Sequence, residues 1–349
     1  MKFKCKTSLL VAVAAALLIT TSAIADNSAP IAGRVQPTTL KADKTVRIAV
    51  IGIVNNPFWA QVKQGADRAA AVLRAKGSDV VFVDAGNQVT VRAVGNAIDA
   101  QVAIGVDAIA SLVPGDGICA YIKKAVSKHV AFATINGDAT CTKKAGSLFF
   151  HGQDLYNAGI EAGRLMCKST ASLASNSNPG KVGISTERFA FQALELRRKG
   201  FIRGLQKNCP WVTPVDQGVE DKADPGRIQT NVKNFIASTP NLVGIYMTGG
   251  NPYVAANEIC AEKKQRSIKM VAFDFTDQNV LAIKKGCLTA AIGQDPFGQS
   301  YDSIMYLYNW LVAHKKPAAK YFIPTASVVG TRANIDKVVI GQSTGSPGI

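Results

Sequence analysis

The chain is short of almost everything that catalysis recruits. It contains no P-loop, no GxGxxG turn and no HExxH helix, so the common phosphate-cradling and zinc-hydrolase signatures are missing. Only three histidines occur, His129, His151 and His314. They are far apart, and each sits beside an element end where a structural role suffices. None of the seven cysteines forms a CxxC pair, which removes the usual zinc-site spacing. There is no short repeat and no low-complexity tract, and no apolar run reaches the roughly 18 residues that a membrane span needs.

Acidic residues are also scarce, 24 against 40 Lys and Arg, for a formal charge of +16. Such a balance can point to nucleic acid, a membrane surface or an acidic ligand. Here the basic residues are scattered over helix faces, as in Arg197-Arg198-Lys199 with Arg203 and Lys207. No cluster interleaves them with stacking aromatics. A solvated basic surface is expected, with no nucleic-acid partner and no cofactor or metal.

What is present begins with an export signal. Lys2, Lys4 and Lys6 precede an apolar run of 11 residues, Leu9 to Ile19, and Ala23-Ile24-Ala25 supplies a small-x-small cleavage site. These are the parts of a secretory signal peptide, 1–25. Cys5 lies before the apolar run and is no lipid acceptor. Cleavage after Ala25 leaves 37 Lys and Arg against 24 Asp and Glu, a charge of +13. Residues 26–43, with Pro30, Gly33 and Pro37, read as a mobile leader. Six cysteines then remain: Cys119, Cys141, Cys167, Cys209, Cys260 and Cys287. An even number in an exported chain implies disulfides, and six allow 15 connectivities. The element map favours sequential pairs: Cys119 and Cys141 flank one helix–strand unit, Cys167 and Cys209 end successive helices, and Cys260 and Cys287 flank the next βαβ step.

The stretch from Val46 to Leu73 organises the rest. Its opening run, VRIAVIGIV, is apolar without alternation, as in a strand buried on both faces of a parallel sheet. Asn56 then suits an N-cap and Pro57 the first helical position. Trp59, Val62, Ala66, Ala69 and Leu73 follow at helical spacing. Ligands of open parallel sheets bind beyond the carboxyl ends of strands, where this turn lies. It offers an amide, a rigid proline and two aromatics instead of glycines. Phe58 and Trp59 fit a ligand wall or a core beneath a helix cap equally well.

Strands and helices keep alternating to the C-terminus, giving two parallel-sheet α/β units. Residues at strand ends include Asn136, Asp138, Gly249-Gly250-Asn251, Asp274 and Gln294, and Arg197 lies on the first helix after the SNSNPG loop at 175–180. Amides, carboxylates, one guanidinium and two rings make a set suited to a polyhydroxylated ligand. A carboxylate pair drawn from Asp138, Asp154 and Asp274 would alternatively serve a glycosidase.

Five ordered segments carry a resemblance: IGIVNNPFWAQVKQGA, GQDLYNAGIEAG, LRRKGF, VAFDFTDQ and AAIGQDPFGQS. With them the chain resembles the sugar-binding proteins of ABC transporters, the ribose-binding-like type I group, from about Val46 to Arg332. The resemblance implies an α/β fold of two Rossmann-like lobes joined by a three-crossing hinge. It places the N-terminal lobe at 44–153 plus 295–325 and the C-terminal lobe at 154–294 plus 326–345. Ligand residues would fall on Asn56, Phe58 and Trp59 in one lobe and Arg197, Asp274 and Gln294 in the other. Two departures appear. Asn136-Gly137-Asp138 stands where ribose binders carry Asp-Arg, and Gly249 stands where they carry Asn, with Asn251 as a nearby substitute. The implied protein is a periplasmic, non-enzymatic monomer that closes on a sugar or polyol and delivers it to an ABC permease. Presentation to a chemoreceptor or histidine kinase is the alternative, and repressors of the same fold are set aside by the export signal.

Overall fold

The apolar run after Thr45 forms β1 (Arg47–Gly52), buried along five of its six residues. The computed structural model describes residues 28–54, 56–86, 89–216, 218–317 and 320–343. The signal peptide expected at 1–25 lies outside them, as do residues 344–345 of the expected C-terminal lobe. After β1 come α1 (Pro57–Arg74), β2 (Asp79–Asp84), α2 (Val91–Ala103), β3 (Ala108–Ser111), α3 (Cys119–Ser127), β4 (Ala131–Ile135) and β5 (Phe150–Gly152). Next are α4 (Leu155–Thr170), β6 (Gly180–Ser185), α5 (Gln192–Asn208), β7 (Val212–Val215), α6 (Pro225–Ser238) and β8 (Leu242–Met247). The chain finishes with α7 (Pro252–Ala261), β9 (Lys269–Phe273), α8 (Asp277–Lys285), β10 (Ala290–Gly293), α9 (Pro296–Ala313), β11 (Phe322–Pro324), β12 (Val328–Thr331) and α10 (Ile335–Ser343).

These strands make two six-stranded sheets, ordered β11-β5-β4-β3-β1-β2 and β12-β10-β9-β8-β6-β7. Every pairing is parallel except β10 with β12. The chain passes from one sheet's lobe to the other after β5, after β10 and between β11 and β12. The SNSNPG loop therefore lies inside the second lobe, between α4 and β6, where Ser175 and Asn178 pair across a tight turn. Disulfides join Cys119 to Cys141, Cys167 to Cys209 and Cys260 to Cys287. Among the described residues, no helix is long and apolar enough to cross a membrane.

Residues 28–43 correct the expectation of a mobile leader, because they lie along α9. The Arg34 guanidinium is buried against Asp295 and Asp302, the latter at 3.0 Å. Val35 N donates to Asp302 Oδ1 at 2.9 Å, and Asn309 Nδ2 donates to the Gln36 carbonyl at 2.9 Å. Proline and glycine content suggested a loose segment, but the partners that hold it come from more than 260 residues away. No local pattern could announce them.

Four glycines fix the pairing of α4 and α5. A Cβ on Gly159 would stand 2.3 Å from the Arg197 carbonyl oxygen, and one on Gly200 would stand 2.1 Å from that of Tyr156. Gly163 and Gly204 face the partner backbone equally closely one turn on. The two helices thus touch backbone to backbone, and this contact sets where α5 carries Arg197. Overpacking costs about 1–3 kcal/mol, so Gly200→Ala should lower the unfolding free energy by about that amount. An unchanged urea midpoint would show that the helix spacing adjusts freely.

Candidate functional site

The first wall of the cleft grows from the end of β1. Asn56 has extended backbone angles and caps α1, its Oδ1 accepting from Phe58 N at 2.9 Å. The cap turns Phe58 and Trp59 inward, edge to face with centroids 5.6 Å apart. Gly52 is the reason Trp59 fits, since a Cβ there would lie 2.6 Å from the indole. Both rings border the cleft and also belong to the first lobe's core. The two readings of these aromatics therefore describe two faces of the same side chains.

The opposite wall is built around a buried cation. Arg197 is 3% exposed on α5, and its guanidinium lies 3.7 Å from the centroid of the Phe273 ring. Nη2 donates to Gln153 Oε1 at 2.8 Å and Nη1 to the Thr248 carbonyl at 3.1 Å. Nη1 is 3.9 Å from Asp274 Oδ2, too far for a hydrogen bond. Nε is buried with no partner among the described residues. Asp274 Oδ1 accepts from Gln294 Nε2 at 2.9 Å, and Gln294 Oε1 accepts from Gln299 Nε2 at 2.7 Å. Burial draws the Arg197 pKa down against the pull of Asp274, Tyr246 and Glu187. Burial likewise pushes the Asp274 carboxyl up, and Arg197 and Gln294 only partly offset it. The long separation leaves both groups with hydrogen-bonding capacity toward the cleft.

Asn136 follows β4 and Asp274 follows β9, the fourth strand of each lobe. Both have left-handed backbone, at φ 66° and 70°. Asn and Asp tolerate that region better than other non-glycine residues, and such strain gathers at functional sites.

Of the residues expected at the site, the cleft brings together Asn56, Phe58, Trp59, Asn136, Arg197, Asp274 and Gln294. Two expectations are corrected. Asp138 turns away from the cleft, accepting from Thr134 Oγ1 at 2.9 Å and from the hydroxyls of Thr142 and Tyr321. All three hydroxyls meet one oxygen, Oδ1, which ties Asp138 into the first lobe. Asn251 precedes α7 and donates its amide to the Ala223 carbonyl at 2.9 Å, tying two loops of the second lobe.

The reading missed Glu187, Phe191 and Leu194, which also border the cleft. Glu187 lies two residues beyond β6, so the same strand-end argument that selected Asn136 applies to it. Burial is the main reason its pKa rises to about 7, with Asp221 adding to the rise and Arg188 opposing it.

Hydrogen bonds cross between the lobes. Gln61 Nε2 on α1 donates to the Phe275 carbonyl, and Gln192 N to the Pro114 carbonyl, each at 3.3 Å. Phe191, Ala193 and Leu194 join the first lobe's apolar core. The cavity of the cleft measures about 40 Å³, far below the roughly 300–1,000 Å³ of sites for drug-sized ligands. A roomier cavity of about 290 Å³ lies behind the hinge around Arg34, His151 and Asp302. Its charged groups are spent on one another, and burial holds His151 neutral with its pKa lowered to about 4. Among the described residues, no group of three or more His, Cys, Asp or Glu could hold a metal ion.

This two-lobed architecture matches a known family model, the periplasmic binding protein domain, over residues 48–316. The chain belongs to that family. Its fold is similar to that of a solute-binding protein from Burkholderia graminis solved with D-arabinose. The two share 21% identity and a TM-score of 0.74, over 85% of this chain and 98% of that one. An Agrobacterium vitis solute-binding protein bound to α-D-tagatopyranose gives 22% identity and a TM-score of 0.73 over 85% and 98%. A carbohydrate transporter from Acidothermus cellulolyticus with myo-inositol gives 20% and 0.71 over 86% and 99%. None of the curated proteins matches the chain.

The Glu187 shift has a measurable sign. Its folded pKa of about 7 exceeds the ordinary 4.5, so the folded state holds a proton that the unfolded state has released between those values. Stability attributable to Glu187 is complete below about pH 4.5 and is lost as pH rises through 7. Glu187→Gln should therefore flatten the fall in melting temperature between pH 5 and 7 relative to the parent. Parallel melting curves for the two proteins would show that the carboxyl is not buried as described.

Proposed function

We propose that the protein is an exported solute-binding protein that captures a small sugar or polyol between its lobes. It would then present the closed, loaded form to an ABC importer permease. The observation that carries this reading is the pairing across one cleft of two aromatic faces with Arg197 and Asp274. Phe58 and Trp59 offer flat apolar surface to C–H faces, while the guanidinium and carboxylate keep donors and acceptors for vicinal hydroxyls. The relatives of this fold solved with D-arabinose, α-D-tagatopyranose and myo-inositol support a ligand of that class. Family membership supports periplasmic residence, with the signal peptide removed after Ala25.

Capture requires hinge motion. A cavity of about 40 Å³ cannot admit a monosaccharide, so the lobes must part at their three crossings and reclose around it. Contacts from both lobes then favour the closed form, because a ligand shifts a conformational equilibrium only through differential affinity.

Thermal melts with D-ribose, D-arabinose, D-tagatose, D-allose, D-glucose, D-galactose and myo-inositol test the reading. A ligand at one hundred times its Kd adds about 2.7 kcal/mol of stability, so at least one of these should raise the melting temperature. If none does, the ligand class is wrong. For the sugar that binds, Arg197→Ala or Asp274→Ala should remove about 1.5–3 kcal/mol, roughly 10- to 150-fold in Kd, per charged hydrogen bond lost. Calorimetry reporting unchanged affinity in both variants would place the ligand elsewhere.

A further inference from the structure

Glu187 is the one acidic group bordering the cleft to which no described residue donates a hydrogen bond. Its side chain comes from the loop after β6, on the same wall as Arg197. The room it occupies is made by Gly249 and Gly250 after β8. A Cβ on either would stand 3.2 Å and 3.4 Å, respectively, from Glu187 Oε2. Leu194 closes the other side, its Cδ2 standing 3.0 Å from the same Gly249 position. A carboxylate has thus been fitted into a glycine-lined recess of the binding cleft, where residue 187 is only 8% exposed.

The surroundings do not neutralise it. Asp221 and Asp274 bear on it from neighbouring strand ends, and Arg188 and Arg197 are the cations within reach. The Asp221 carboxyl accepts from Ser185 Oγ at 2.7 Å and Ala223 N at 2.8 Å, so its partners are local, and it adds to the rise of the Glu187 pKa. Arg197 is directed to Gln153, Thr248 and Asp274 and is stacked on Phe273. Three carboxylates face two guanidiniums, and neither guanidinium hydrogen-bonds Glu187. An acceptor this deep in a cleft is destabilised when it has no donor, and more so when it is charged. A neutral polyol can supply a hydroxyl here, but only a cation both donates a hydrogen bond and removes the charge imbalance.

We infer that Glu187 is a specificity-determining residue that selects a monosaccharide-sized polyol carrying an ammonium group, such as an amino sugar. The inference rests on the sugar-binding reading above and narrows it. The ammonium donates to the Glu187 carboxylate in the recess formed by Gly249, Gly250 and Leu194, while Arg197 and Asp274 hold hydroxyls further along the cleft. Binding keeps Glu187 ionised, so affinity for the cation rises with pH up to the point where the amine itself loses its proton.

The test is calorimetry on the full-length mature protein with D-glucosamine, D-galactosamine, D-mannosamine and their parent hexoses. At least one amino sugar should bind roughly tenfold or more tighter than its parent, the yield of one charge-assisted hydrogen bond. That preference should grow between pH 5 and 7, and in Glu187→Gln it should collapse and lose its pH dependence. Melting curves on the same variant show that it is folded. Neutral sugars binding as tightly as or tighter than every amino sugar would overturn the inference and leave the sugar-binding reading standing. So would an amino-sugar preference that survives Glu187→Gln. If neither the amino sugars nor the neutral sugars of the melting screen bind, it is the broader reading that fails.

Discussion

The cleft depends on keeping one guanidinium charged in the dry interior of the second lobe. Removing an arginine from water is costly unless its donors and its charge are met. Arg197 is met by a glutamine amide oxygen, a backbone carbonyl, an aromatic face and a carboxylate at 3.9 Å. The supporting groups are not local. Gln153 lies at the first crossing between lobes and donates to Ser327 at the third, at 2.9 Å. Asp274 leans on Gln294 at the second crossing, which in turn accepts from Gln299 of α9 in the other lobe. The binding charges therefore rest on the hinge itself. Arg197 and Asp274 are thereby tied to the first and second connections directly and to the third through Gln153.

Position follows from backbone packing. The glycine contacts between α4 and α5 bring helix axes closer than any side chain would allow, and one of those contacts is with the carbonyl of Arg197 itself. Asn136 and Asp274 are held in left-handed conformation where β4 and β9 end. Both lobes thus use the same device at the same topological place, and a short polar side chain borders the cleft at some conformational cost.

Much of this was legible in the sequence because it is written in local patterns. The unbroken apolar run of β1, the Asn56 cap and the proline after it mark a strand, a turn and a helix without reference to anything distant. The strand-end argument then names Asn136, Asp274 and Gln294. Further from a strand end, in the loops after β4 and β8, only the fold decides which polar side chain faces the cleft. Asp138 is spent on Thr134, Thr142 and Tyr321, and Asn251 on Ala223. Glu187 escaped because its significance lies in what does not surround it. The Arg34 anchor escaped because its partners, Asp295 and Asp302, come from the far end of the chain.

The groups that line the cleft also bear on the stability of its closed state. In the cleft, Arg197 Nε is buried with no acceptor among the described residues, and no described residue donates to the carboxyl of Glu187, itself 8% exposed. Each such group costs about 1–3 kcal/mol. In an open cleft water meets them. The direct ties that favour closure are modest by comparison: two interlobe hydrogen bonds at 3.3 Å, each contributing about 0.5–1.5 kcal/mol net, together with the apolar contact of Phe191 and Leu194. Converting a 1:99 mixture to 99:1 takes about 5.5 kcal/mol of differential binding. Charged hydrogen bonds made only with a bound ligand, at about 1.5–3 kcal/mol each, supply that order of energy. On the proposed reading, Arg197 and Glu187 would then bias closure as well as bind.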